Sequence, residues 1–100
     1  MNRRIKNYLT EAAAGDRMAQ FNLGVSYDKG EDVPQSYEQA VHWYQMAAEG
    51  GLSLAQHNLA LCYELGHGVP QSCEQAAYWY TKAAEQGLSI SKENLEKLKK

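Results

Sequence analysis

Residues 19–54 have the sequence AQFNLGVSYDKGEDVPQSYEQAVHWYQMAAEGGLSL, and residues 55–90 have the sequence AQHNLALCYELGHGVPQSCEQAAYWYTKAAEQGLSI. The two stretches align without a gap and are identical at 21 of their 36 positions. Self-similarity at a fixed period of this length is typical of repeat architectures, in which stacked units bury a continuous core. The chain is therefore predicted to be a tandem repeat.

The period extends beyond the two whole units at both ends. Tyr8 corresponds to Tyr44, and Asn94 corresponds to Asn58. We therefore predict partial units that cap the array. The predicted order is an N-terminal half unit at 1–18, whole units at 19–54 and 55–90, and a C-terminal capping helix at 91–100.

Each unit contains signals for two helices. In the first, helix A, Ala19, Leu23 and Tyr27 are four residues apart and share one stripe. In the second, helix B, apolar residues occupy the i, i+3, i+4, i+7 and i+8 positions of an amphipathic helix. These residues are Ala40, Trp43, Tyr44, Ala47 and Ala48.

The turn between the two helices contains residues that end one helix and begin the next. Gly30 stands where a helix-ending glycine is expected. Pro34 favours an extended turn, because proline disfavours helix in the residue before it. Ser36 and Gln39 have the S-x-x-Q capping-box spacing that opens helix B. The same residues recur one period later as Gly66, Pro70, Ser72 and Gln75.

Small and aromatic residues share the predicted helix contacts. Gly24 lets helix B approach helix A, while Trp43 and Tyr44 fill the space beside it. We expect Trp43 and its counterpart Trp79 to lie between helices in the core rather than to form a ligand platform. A single hairpin cannot bury all of these side chains, whereas stacked neighbours can.

Composition and charge narrow the class of protein. The net charge of −2 provides no basic surface for nucleic acid. No apolar run approaches the ~20 residues that a membrane span needs, and no apolar signal segment follows the first four residues. We therefore expect a cytoplasmic protein that binds neither nucleic acid nor membrane.

The two cysteines do not follow the repeat. Cys62 and Cys73 both lie in the second whole unit, where their counterparts in the first are Ser26 and Tyr37. A scaffold built on disulfides would repeat its cysteines with everything else. We expect two reduced, partly buried thiols.

The chain resembles the Sel1-like repeat family, a relative of the tetratricopeptide repeats. The pattern AQ-x-NL-x-x-x-Y-x-x-G, followed by V-P-Q-S-x-E-Q-A-x-x-WY-x-x-AAE-x-G-L, occurs at 19–52 and again at 55–88. The 36-residue period and the longer V-P-Q turn favour this family over tetratricopeptide repeats, whose period is about 34 residues. The resemblance implies an all-α, right-handed α-solenoid of about six helices in antiparallel pairs. It also implies that the A helices line a concave side, and that the protein is an adaptor, regulator or inhibitor that binds another protein.

A few positions depart from the family pattern. Asp32 replaces the glycine of the usual G-x-G turn, and serine stands at Ser36 and Ser72 where the family often has aspartate; serine also caps helices well. One secreted, cysteine-rich branch is credited with binding β-lactams. Because Ala48 and Ala84 stand where that branch has cysteines, a β-lactam-binding enzyme is the least supported interpretation.

No group of residues indicates catalysis. His42, His57 and His67 are scattered and form no H-x-x-x-H pair, so we expect surface or groove histidines rather than zinc ligands. Cys62 has no neighbouring Asp or Asn that would orient a histidine base, and no phosphate-binding glycine loop is present. The prediction is a protein that is not an enzyme and uses no cofactor and no metal.

Asparagine recurs at one position of helix A, as Asn22, Asn58 and Asn94. Two interpretations are open. In the first, each amide ties one A helix to its neighbour or caps a backbone group. In the second, the amides form a ladder along a groove. An amide both donates and accepts, so such a ladder can hold a peptide backbone without recognising its side chains.

Positions beside the asparagines differ between the two units, as at Met18 and Leu54, and are less constrained by the scaffold. We expect the binding surface there, on the concave A-helix side. The candidate binding residues are Phe21, Asn22, Val25, Asp28, Lys29, His57, Asn58, Leu61, Glu64, Leu65 and Asn94.

The leading hypothesis is a non-catalytic module that binds a protein or peptide, for example an adaptor or an immunity protein against a bacterial toxin. The alternative is a structural, self-associating unit or a piece of a longer solenoid. For the leading hypothesis we expect a monomer or weak self-association.

Overall fold

The computed structural model describes residues 2–99, and in this range it contains six α-helices, which confirms the predicted all-α class. Met1 and Lys100, which begin and end the predicted partial units, lie outside the described residues. The helices form antiparallel pairs in a right-handed α-solenoid, each helix packing on the next along the chain. They are α1 (Arg3–Ala13), α2 (Arg17–Lys29), α3 (Tyr37–Glu49), α4 (Ser53–Leu65), α5 (Cys73–Glu85) and α6 (Ser89–Leu98).

The helix ends follow the predicted turn residues. Gly30 and Gly66 cap α2 and α4 in the left-handed conformation, both with φ of 71°. The Ser36 hydroxyl accepts a hydrogen bond from the backbone N–H of Gln39 at 3.2 Å, and Ser72 repeats the bond at the start of α5. These bonds satisfy N–H groups that a helix start leaves without partners.

Two connected clusters of side chains form the core. The larger joins α3, α4 and α5 and includes Tyr44, Leu59, Trp79 and Tyr80 among its buried members. The smaller joins α1 and α2, and Trp43 packs half-buried against it. Both tryptophans therefore lie between helices, as the repeat pattern predicts.

Gly24 allows the closest contact within the first whole unit. A Cβ atom at this position would collide with the ring of Tyr44. Ala60 stands at the corresponding position beside Tyr80, so both units use a small residue to admit the buried tyrosine ring. This confirms the predicted pairing of small and aromatic residues.

Asp32 departs from the glycine of the usual turn. Its counterpart, Gly68, has φ of 78°, and a Cβ there would lie 2.5 Å from the carbonyl oxygen of Tyr37 at the start of α3. Asp32 keeps the left-handed conformation, with φ of 66°, and its carboxylate lies 3.5 Å from Arg4. Aspartate adopts this conformation more readily than most residues other than glycine.

Candidate functional site

The A helices α2, α4 and α6 each have a stripe of half-buried and exposed residues at i, i+4, i+7 and i+11 spacing. We call the surface formed by these stripes the A-helix face. Its residues are Met18, Asn22, Val25 and Lys29 on α2, Leu54, Asn58, Leu61 and Leu65 on α4, and Ile90, Asn94 and Lys97 on α6.

A cleft of about 220 Å³ opens on this face at the junction of the two whole units. Four of the predicted binding residues line it: Asp28, Asn58, Leu61 and Leu65. Leu65 is 57% exposed, so the cleft has an apolar rim that water covers in the free protein.

The cleft also contains two aromatic residues that are not among the candidate binding residues. Tyr37 and His67 line it and stack on each other, with ring centroids 4.1 Å apart and planes 15° from parallel. Both lie outside the A helices; the sequence predicts His67 only as a surface or groove histidine and does not predict a role for Tyr37. The available signal was that both positions differ between units, since Tyr37 corresponds to Cys73 and His67 to Glu31.

A hydrogen-bonded relay runs beneath the A-helix face and is repeated in both units. In the first, the Tyr44 hydroxyl donates to the carboxylate of Asp28 at 3.0 Å, and Asn58 lies nearby. In the second, the Tyr80 hydroxyl donates to Glu64 at 2.6 Å, and the Asn94 side-chain N–H donates to that hydroxyl at 3.3 Å. The relay connects helix A, helix B and the next helix A.

Burial fixes the protonation state of the relay tyrosines. Desolvation, together with the adjacent carboxylate, raises the pKa of Tyr44 and of Tyr80 far above the ordinary range. Each hydroxyl therefore stays protonated and donates a hydrogen bond to the carboxylate. The structural interpretation of the recurring asparagine fits Asn94, whose side-chain N–H ties α6 to the preceding unit.

The expectation that His57 reaches solvent on this face is wrong. The side chain is only 7% exposed, its Nδ1 lies 2.8 Å from the hydroxyl of Ser91, and its ring packs 5.4 Å from that of Tyr80. Burial lowers the pKa of the imidazole. The reason is the neighbouring α6, which covers this position of α4.

The other predicted residues are spread around the cleft. Phe21, the counterpart of His57, is half-buried with its ring 5.9 Å from Tyr44 and packs against the core. Val25 and Asn22 are half-buried on the stripe of α2, and Lys29 is exposed at its end. Glu64 is half-buried in its bond with Tyr80 and does not line the cleft.

The two thiols are free but differ in exposure. Cys62 is buried at the base of the cleft, where desolvation and then the charge of Asp28 raise its pKa to about 12. Such a thiol is a poor nucleophile at neutral pH, because the thiolate is the reactive species. Cys73 is exposed, which corrects the expectation that both would be partly buried.

Within residues 2–99, no three His, Cys, Asp or Glu side chains are grouped so as to hold a metal ion. None of the six helices in the described range has the length and apolar character needed to cross a membrane.

Comparison with known proteins agrees with the geometry. The model of the Sel1 repeat matches residues 17–52 and 53–88. A Sel1 repeat protein from Oxalobacter formigenes has a similar crystal structure, with a TM-score of 0.88 and 39% identity over 93% of this chain. A second similar structure is c5321, a protective antigen present in uropathogenic Escherichia coli strains that displays an SLR fold; its TM-score is 0.83 and its identity 42% over 84% of this chain.

The compared structures are longer than this chain, which covers 38% of the Oxalobacter protein and 18% of c5321. No curated protein matches the chain. The family model nevertheless covers both whole units, and the structures share their helical architecture. The chain belongs to the Sel1 repeat family.

Proposed function

We propose that the chain is a non-catalytic module that binds a segment of a partner protein on the A-helix face. The observation that carries the proposal is the cleft between the units, where Asp28, Asn58 and the exposed Leu65 are brought together beside the stacked Tyr37 and His67. An apolar pocket with a few convergent polar groups is the usual form of a binding site. The fold supports the proposal, since Sel1 repeats commonly serve as protein-interaction modules.

The relay determines which hydrogen bonds the face can offer. A tyrosine hydroxyl has one proton, and here that proton is donated to Asp28 or Glu64. The hydroxyl can therefore only accept from a neighbouring amide, as the Tyr80 hydroxyl does from the side-chain N–H of Asn94. The side-chain oxygens of Asn94 and of its counterpart Asn58 are left to accept, so the face suits the N–H groups of a peptide backbone.

Head-to-tail self-association is the weaker alternative because the outer helices have charges at packing positions. In α3, Ala40 and Ala47 are buried, whereas the corresponding residues of α1 are the exposed Arg4 and Glu11. On α6, the exposed Glu96 stands where Ala60 is buried on α4. Burying such charges without partners is costly, so we expect a monomer or weak association.

The proposal extends to the compartment and the kind of organism. The exposed free Cys73 suits a reducing compartment such as a bacterial cytoplasm, and both compared structures come from bacteria. Within that setting the module would serve as an adaptor, a regulator or a small inhibitor of another protein.

A comparison of two matched surface variants tests the binding face. Leu65→Glu places a negative charge at the rim of the cleft. Tyr78→Glu places the same charge at a 52% exposed position of α5, outside the A-helix face. Proteins captured from the source cell by the wild type should be lost with Leu65→Glu and kept with Tyr78→Glu. Equal capture by both variants contradicts the proposed face.

A further inference from the structure

Three large aliphatic side chains stand exposed at one repeated position of the A-helix face. Met18, Leu54 and Ile90 are separated by one period each and are 45%, 43% and 51% exposed. They occupy the second residue of α2, α4 and α6. We call them the aliphatic row. Exposed apolar side chains that recur in register on one face differ from the singly scattered ones that need no explanation.

The aliphatic row runs parallel to two other rows of the same face. On α4, Asn58 lies one helical turn after Leu54, and Leu61 at the cleft lies about one turn further. The asparagine row, formed by Asn22, Asn58 and Asn94, therefore runs between the aliphatic row and the cleft. A chain lying over the asparagines would have the aliphatic row on one side and the cleft on the other.

The distance between neighbouring A helices determines which conformation of a bound chain fits the face. The A helices are neighbours, as the contact of His57 on α4 with Ser91 on α6 shows, and packed helices lie about 10 Å apart. An extended polyproline II segment rises about 3.1 Å per residue with three residues per turn. Every third side chain of such a segment therefore points the same way and meets the next A helix.

Other conformations fit the face less well. In a β-strand, side chains three residues apart point to opposite faces, so they cannot all meet the aliphatic row. An α-helix uses its backbone N–H groups internally and leaves the oxygens of Asn58 and Asn94 without donors. A polyproline II backbone has no internal hydrogen bonds, so its N–H groups are free to donate.

The charge of the cleft indicates which side chains of the bound segment face it. Among the described residues that line the cleft, Asp28 is the only acidic one and no Lys or Arg is present. One oxygen of Asp28 accepts from Tyr44, which leaves the other for a cation. The complement is a Lys or Arg that reaches the cleft from between two of the aliphatic residues.

We propose that the A-helix face binds an extended, polyproline II-like segment with an aliphatic residue at every third position and a basic residue between two of them. The aliphatic side chains contact Met18, Leu54 and Ile90, the backbone N–H groups donate to the asparagine oxygens, and a basic side chain enters the cleft at Asp28. This inference rests on the proposed binding function and adds the chemistry of the partner.

The probe for a test is a display library of random peptides about twelve residues long, which span three helices at ~3 Å per residue. Selection on the full chain should enrich peptides with aliphatic residues at i, i+3 and i+6 and with Lys or Arg between them. A Leu54→Ser/Ile90→Ser variant should bind these peptides at least tenfold more weakly, while Tyr78→Ser should bind them as the wild type does. Circular dichroism checks that each variant stays helical.

The outcomes separate this inference from the proposed function. Enriched peptides with a different spacing, or without basic residues, that still lose binding to Leu65→Glu overturn the inference and leave the binding face in place. Peptides that bind wild type and all face variants equally overturn both, as does a selection that enriches nothing.

A backbone modification of the selected peptide tests the role of the asparagines. N-methylation of either residue whose N–H group faces Asn58 or Asn94 should reduce affinity about tenfold, the effect of one lost hydrogen bond of ordinary strength. N-methylation of the residues between them should change affinity less than threefold. Equal effects at both sets of positions contradict the proposed backbone contact.

Discussion

The hydroxyl of Tyr80 lies 2.6 Å from the carboxylate of Glu64, and the same bond joins Tyr44 to Asp28 one period earlier. The bond crosses from helix B to helix A of one unit, and in the second unit Asn94 connects it to the next helix A. One polar relay thus links α4, α5 and α6. The same relay leaves the asparagine oxygens as acceptors on the A-helix face.

Removal of one relay hydroxyl should destabilise the fold. Tyr80→Phe keeps the buried ring but leaves Glu64 and Asn94 half-buried without their partner. We expect a loss of about 1.5–3 kcal/mol in the free energy of unfolding, the range for hydrogen bonds to charged groups. Urea titration followed by circular dichroism measures it. Tyr78→Phe, at an exposed position, is the matched control; equal stability of the two variants would show that the relay contributes nothing.

Truncation of Trp79 should cost more than truncation of Trp43. Trp79 is buried in the larger core cluster, whereas Trp43 is half-buried against the smaller cluster of α1 and α2. We expect Trp79→Ala to lose about 3–5 kcal/mol, a large part of the stability of a domain this small. The same urea titration compares the two, and an unchanged midpoint for Trp79→Ala would contradict its place in the core.

The thiols should report on burial directly. In the folded protein prepared without reductant, a thiol reagent should modify Cys73 rapidly and Cys62 slowly, because Cys62 is buried with a pKa raised to about 12. After unfolding the count should rise from one fast thiol to two. A fast count of two in the native state would contradict the buried position of Cys62, and a count of zero after unfolding would indicate a disulfide.

Stability should fall as the solution becomes acidic, in part through His57. Because burial lowers the pKa of His57 below its ordinary value near 6.5, the unfolded chain binds the proton more readily than the folded one. Stability is therefore lost as pH falls below ~6.5, down to the lower folded pKa. The nearby Glu64 opposes the shift without cancelling it.

Thermal unfolding at about pH 7.5 and about pH 5.5 measures this dependence. His57→Gln should have a smaller decrease in melting temperature between the two pH values than the wild type. His42→Gln, at an exposed position of α3, should behave as the wild type does. An equal decrease in all three proteins would show that His57 does not contribute.

The fold could be predicted from sequence because its signals are local. Gly30 and Ser36 end and begin helices through their own conformation and hydrogen bonds, and their repetition one period later removes ambiguity. The sequence also identified Asn58 and Leu65 of the cleft, since helical spacing alone places them on one stripe.

What could not be predicted depends on residues far apart in the chain. His57 is buried by Ser91, which is 34 residues away on the next A helix. The stack of Tyr37 on His67 forms only when a turn of one unit meets a helix start of the preceding one. The orientation of the asparagine amides likewise depends on the proton of a tyrosine in another helix. Spacing within one helix contains none of this information.

The most direct test of the binding face is a two-dimensional NMR titration of the ¹⁵N-labelled chain with a partner captured from the source cell. If the partner binds the A-helix face, the largest shifts occur at the side-chain amides of Asn58 and Asn94 and at the backbone signals of Leu54, Leu61 and Leu65. Tyr78 and Thr81 on α5 then have small shifts. Shifts confined to α5 and the other B helices, with the asparagine amides unchanged, would contradict the proposed binding face.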